Sequence, residues 1–150
     1  HWMVHSFPTR RSSDLVAPLD TRELRVPEPG GKWSINEALQ HLADSDLVFG
    51  WRIRLILAHD RPVITGYDQD LWAGRLHYSE GNPAEALERF AVLRRSNVGL
   101  LERASEDDLR RPGLHTERGE ETLALVIRLY AGHDLLHLRQ IERIRHSIRA

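Results

Sequence analysis

Along this chain apolar residues recur at steps of three and four in three separated stretches, each bordered by polar residues that start or stop helices. In the first, Ile35, Ala38, Leu39, Leu42, Phe49, Ile53 and Ile56 form one stripe behind Ser34 and Glu37, a pair spaced to cap a helix N-terminus reciprocally. The pattern predicts a helix over about 35–58. Asn82 as cap, Pro83 in the first helical position and Glu85 as the return partner open a second helix, expected over about 83–104. The third is expected over about 121–147, with Val126, Leu129, Tyr130, Leu136, Ile141 and Ile144 as its stripe. Pro62, Gly66, Gly74 and Gly81 crowd the stretch between the first two helices and predict a crossing loop with a short helical turn near 70–73. Residues 105–120 read as a polar loop with room for a short extended stretch. No strand-length alternation competes, so the expectation is an all-helical core without a sheet of three or more strands.

The N-terminus follows a different logic. Residues 5–15 read HSFPTRRSSDL, a string similar to the conceptual translation of a widely used sequencing adapter. Residues 1–15 are therefore expected to be an artefactual, disordered arm with few packing contacts, and the domain to span 16–150. No apolar core of signal-peptide length follows the charges.

Composition narrows the function classes. A chain of 150 residues, 41% hydrophobic and 29% charged, suits one domain with a real core. A net charge of -1 with both signs interspersed offers no basic face to nucleic acid or to an anionic membrane. There is no apolar run long enough to span a bilayer, and cytoplasm is the default location. With no cysteine, disulfides, thiolate ligands and a cysteine nucleophile are excluded, and a metal must be held by His, Asp or Glu.

Two histidines, His133 and His137, fall inside the third stripe. Positions four apart on a helix lie about 6 Å along the axis and about 40° around it, so both rings can converge on one point. Either each is a core residue bonded to a neighbour, or the two share a metal, because buried imidazole nitrogens without partners are costly. His41, on the border of the first stripe, can face the interior and complete a three-His site with a fourth position open, as in catalytic zinc centres. The three side chains are then expected to bring nitrogens within about 3–5 Å of one another. Asp44 and Asp134 either orient an imidazole or carry a proton, or are solvated helix-surface charges. His59, His77, His115 and His146 read as surface residues, and Trp33, Trp51 and Trp72 as packing residues. Arg94 or Arg95, with Asn97, can line a polar pocket, or the arginines form a solvated face. HDLLH departs from the zinc-protease pattern by an Asp one carbon too short, with no third ligand downstream. A metalloenzyme acting on a small molecule and a non-catalytic metal-binding stress or interaction module both fit these residues.

Three segments, GGKWSINEALQHLADSD, PVITGYDQDLWAG and GEETLALVIRLYAGHDLLHLRQIERIR, together resemble the DinB-like superfamily of small bacterial four-helix proteins, YfiT-type metal-dependent hydrolases among them. The similarity covers about 16–145. It implies an up-down-down-up bundle with a long crossover and a divalent metal, zinc or nickel. One histidine of the HLAD helix and two of the last helix would hold it, which here are His41, His133 and His137. It also implies a homodimer in many members and, in some, transfer of low-molecular-weight thiols such as bacillithiol or mycothiol. Members carry a further helix ahead of the GKWS loop. Here that region holds the adapter-like string and a short proline-containing segment, so the first helix is expected to be largely missing and the natural N-terminus longer.

Overall fold

A computed structural model describes residues 11–150 of the chain, with side chains from residue 14 onward. Two short helices, α1 (Arg11–Val16) and α2 (Thr21–Leu24), lead into the long α3 (Ile35–Ala58). A crossing segment follows, with the two-residue strand β1 (Val63–Ile64), helix α4 (Gln69–Arg75) and a 3-10 turn at Tyr78–Glu80. Then come α5 (Pro83–Glu102), α6 (Glu106–Leu109), strands β2 (Pro112–His115) and β3 (Gly119–Thr122), and α7 (Leu123–Arg149).

The long helices begin where side chains can satisfy their free backbone N–H groups. Ser34 and Glu37 form the expected reciprocal box at α3. At α5 the Asn82 side chain accepts from the amides of Ala84 and Glu85, so the expected cap is present, but Glu85 takes part through its backbone amide and not as the side-chain return partner of a box. Thr122 caps α7 two residues later than the apolar pattern suggested. The α3 stripe is buried throughout, from Ile35 to Ile56. The α7 stripe needs correction: Leu129 and Leu136 are exposed at 42% and 63%, and the buried row runs through Tyr130, Asp134, His137, Leu138 and Ile141. At mid-helix the inward positions are polar, so hydropathy pointed to the wrong side.

Contacts along the helices fix their directions. Gln40 meets Arg89, Asp46 meets Arg94 and Arg54 meets Ser96, so α3 and α5 run parallel. His41 meets His137's neighbour His133 while Arg52 meets Tyr130, so α7 runs antiparallel to α3. The segment from β1 to the 3-10 turn is thus the long crossover that returns the chain to the level of the α3 N-terminus. Close approach of α3 and α5 depends on Gly50, where a Cβ would lie 2.5 Å from Asn97 Oδ1.

Two apolar clusters fill the bundle. One gathers Leu24, Ile35, Leu39, Leu42, Phe90, Ile141 and Ile144; the other gathers Phe49, Ile53, Ile56, Leu101, Leu123, Val126 and Tyr130. Between them on all three long helices lie buried polar side chains: Ser45 and Asp46 on α3, Arg94 and Asn97 on α5, Asp134 and His137 on α7. This polar belt positions the candidate site.

Two expectations change. β1 pairs parallel with β2, and β2 antiparallel with β3, making a small three-stranded sheet against the second cluster where only loops and an isolated extended stretch were expected. Its strands are too short to show alternation and exist because tertiary contact pairs them. The protein remains a helical bundle. Residues 11–15, expected to be a disordered arm, are helical, and Leu15 packs with Val16 and Leu19 on the first cluster. The apolar spacing of Leu15, Val16 and Leu19 is sufficient reason. Residues 1–10 lie outside the described residues. Among the described residues no helix is long and apolar enough to cross a membrane.

Candidate metal centre

Helix α3 carries His41 inward because its stripe faces α7, and the antiparallel α7 presents His133 and His137 one turn apart at the same level. The three expected histidines meet. His41 Nε2 lies 2.8 Å from His133 Nε2, which lies 3.1 Å from His137 Nε2. One nitrogen from each ring falls within 4.8 Å of the others. The rings are inclined to one another at 62–68°, each edge turned to a common centre.

The surroundings fix the rings. His137 Nδ1 donates to Gln140 Oε1 at 2.8 Å, which places its proton on Nδ1 and leaves the Nε2 lone pair facing the centre. Ser45 Oγ stands 3.3 Å from His41 Nε2 and 3.2 Å from the Tyr67 hydroxyl. Trp33 packs against His41 at 5.0 Å between ring centroids and lies nearly parallel to His137 at 6.2 Å. The Nδ1 atoms of His41 and His133 are buried without a partner. Burial, reinforced by His137 and His133, lowers the His41 pKa to about 3; burial, with His137 and Arg94, lowers that of His133 to about 4. Burial also lowers His137, against the hydrogen bond to Gln140. All three are neutral at pH 7, the state in which imidazole donates a lone pair to a metal. Tetrahedral coordination at about 2.0–2.1 Å separates neighbouring nitrogens by a little over 3 Å, close to the spacing seen here.

Two cavities border the cluster. One, of about 680 Å³, is lined by Trp33, His137, Gln140 and Arg143; the other, of about 310 Å³, by Ser45, Tyr67, Tyr130 and His133. The larger cavity thus reaches the cluster at His137 and the smaller at His133.

The two candidate carboxylates point to other partners. Asp44 accepts from the Tyr78 hydroxyl at 2.6 Å. Asp134 is buried and accepts from Arg94 Nη1 at 2.5 Å and Nη2 at 3.1 Å. Arg94, read as pocket lining or solvated face, is instead 1% exposed and also binds Asp46 through Nε and Nη2, while Asn97 Nδ2 donates to the Asp46 carbonyl at 3.0 Å. Burial opposes the Arg94 charge, and its hydrogen bonds to Asp46 and Asp134 outweigh that effect and raise its pKa. His115, expected at the surface, is buried at 4% exposure on β2, where its Nδ1 accepts from the Glu117 and Arg118 amides. His59, His77 and His146 are exposed, as expected; Trp51, expected to pack, is instead exposed at 64%. Trp33, Ser45 and Gln140 were not singled out as site residues. Ser45 and Gln140 stand four and three positions after a histidine, a helical spacing that marks them. Trp33, in the turn before α3, has no such mark.

Comparison with known proteins agrees with this architecture. A "Putative metal-dependent hydrolase" of Oceanobacillus iheyensis is 30% identical over 133 residues, 88% of this chain and 76% of its own. One of Bacillus cereus with the same name is 31% identical over 130 residues, 87% of this chain and 75% of its own. The structure of YfiT from Bacillus subtilis, described as a probable metal-dependent hydrolase with an unusual four-helix bundle topology, superposes with a TM-score of 0.89 at 23% identity. It covers 98% of this chain and 85% of that one. Residues 8–141 match the DinB superfamily, and the chain belongs to that family.

Proposed function

We propose that this protein is a metal-dependent enzyme in which His41, His133 and His137 hold one divalent cation, zinc or nickel, beside a small-molecule pocket. The observation that carries the reading is the convergence of three neutral ring nitrogens, one from each side chain, within 4.8 Å. With the His137 proton on Nδ1, its Nε2 lone pair is aimed at the other two Nε2 atoms, and a cation at that point turns mutual repulsion into attraction. A cation held there would supply Lewis acidity that makes water or a small thiol nucleophilic near neutral pH. The chain's own groups do the rest. Gln140 holds the tautomer of His137, Trp33 walls one side, and Ser45 with Tyr67 can pass a proton from the site toward the smaller cavity. Asp134 acts at a distance, holding α7 to α5 through Arg94, and Asp44 tethers the crossover through Tyr78.

Hydrolysis and transfer of a low-molecular-weight thiol to an electrophile share this nucleophile chemistry. The names of the relatives favour hydrolysis. The alternative, a non-catalytic metal-binding module, calls for a closed shell of protein ligands, whereas cavities border His133 and His137. Exposed Leu125, Leu129 and Leu136 along α7 support the homodimer that the resemblance implies. The test is metal analysis of the dialysed protein, followed by ester-hydrolysis and thiol-conjugation assays of the loaded form. One equivalent of divalent metal with turnover in either assay supports the reading. No metal uptake, or uptake without turnover of either substrate class, rejects it.

A further inference from the structure

The smaller cavity contains a second unusual group. Arg52, on α3, is 7% exposed, and the cavity it lines also touches Ser45 and His133. Its guanidinium donates from Nη1 to the Tyr130 hydroxyl at 3.1 Å and from Nη2 to the Thr65 carbonyl at 2.8 Å. Both partners are neutral. Its Nε is buried with no partner, and among the described residues Arg52 makes no ion pair. The same interior shows the ordinary solution: Arg94, at 1% exposure, is matched by two carboxylates. A buried guanidinium without a counter-charge is strongly disfavoured unless an anion reaches it. No Asp or Glu lines the cavity. The second cation there, Arg118, is neutralised by Glu121, which leaves the charge of Arg52 as the unbalanced one.

We infer that this cavity is a binding site for a small carboxylate-bearing molecule, with Arg52 as the group that recognises the anion and Tyr67 and Tyr130 as its aromatic walls. A planar guanidinium pairs with a carboxylate through two parallel hydrogen bonds, a geometry that a neutral amide of the same shape cannot match in charge. The molecule sits where it also meets His133, so the metal-enzyme reading makes it the substrate or cosubstrate. That role rests on the reading above; the binding of the anion does not.

Benzoate and benzamide, matched in shape and different in charge, separate the two. Each is titrated into the metal-free full-length chain, following the Arg52 Nε–H resonance by heteronuclear NMR. Benzoate is expected to bind at least about tenfold more tightly than benzamide and to shift that resonance. Arg52→Met is expected to erase the preference and Arg52→Lys to keep part of it. Equal affinity of the two probes for the wild-type chain, or an intact preference in Arg52→Met, overturns the assignment. If Arg52→Met does not fold, the wild-type comparison and the Nε–H shift decide it. A benzoate preference in a chain that takes up no metal upholds this site and sinks the metal reading alone. Metal uptake without a benzoate preference does the reverse.

Discussion

Two buried polar clusters lie side by side on the same helices and behave oppositely. Asp46 follows His41 on α3 and Asp134 follows His133 on α7, yet the carboxylates close on Arg94 while the imidazoles turn their Nε2 atoms on one another. In the ion network Nε, Nη1 and Nη2 of Arg94 each reach a carboxylate oxygen and Asn97 adds a donor. In the histidine cluster two Nδ1 atoms lack partners and the Nε2 atoms face one another. A polar group that serves the fold satisfies itself; one that serves a ligand leaves lone pairs aimed at a point. The difference can be tested by breaking each cluster in turn.

The largest effect is expected from Arg94→Met, which leaves Asp46 and Asp134 buried and unpaired. Stability of the metal-free protein should fall by about 3–5 kcal/mol in urea unfolding, because removing one partner strands the other charges. Metal bound per folded molecule should change little. His41→Ala is expected to do the converse, weakening metal binding by more than about 100-fold in chelator competition, beyond what loss of a supporting partner does. Its urea midpoint should move less than that of Arg94→Met.

A third expectation concerns acid. The folded cluster holds His41 near 3 and His133 near 4, against an ordinary value of 6.5, so the unfolded chain binds protons that the folded chain refuses. This contribution to stability is fully present above about pH 6.5 and is lost as pH falls toward 4 and then 3. Metal-free protein should lose about 1–2 kcal/mol between pH 7 and pH 6 in urea titrations. His41→Ala should lose less over the same interval. The smallest effect is reserved for Gln140→Ala, which frees the His137 tautomer. About a tenfold loss of metal affinity is expected, with the fold intact.

Much of this was legible along the chain. α3 begins and ends where Ser34, Glu37 and its stripe place it, because every residue of that stripe, from Ile35 to Ile56, is apolar and buried. The His133 and His137 pair was visible because a helix puts residues four apart on one face. The α7 stripe misled where the belt crosses it: Asp134 and His137 face inward, so Leu136 looked like core while facing solvent. Arg94 was ambiguous for the same reason, since its partners come from two other helices. β2 and β3 form a local hairpin, but its union with β1, where Ile64 pairs with His115, spans about 50 residues, which no local pattern encodes. Arg52 carried no signal at all; only its missing counter-charge, seen in three dimensions, marks it.

The separation of the histidines along the chain has a temporal consequence. His41 and His133 are 92 positions apart, and no two of the three long helices can assemble both the cluster and the network beside it. On the ribosome, α3 and α5 can dock through Asp46 and Arg94 while α7 is still inside the exit tunnel, with His41 alone on its face. The point where the three rings meet comes into being only when α7 arrives, so a chain still lacking α7 cannot offer all three rings to a cation. On the proposed reading, a cation is loaded only after α7 has been made and docked, and the one that prevails is the one available to that assembled bundle.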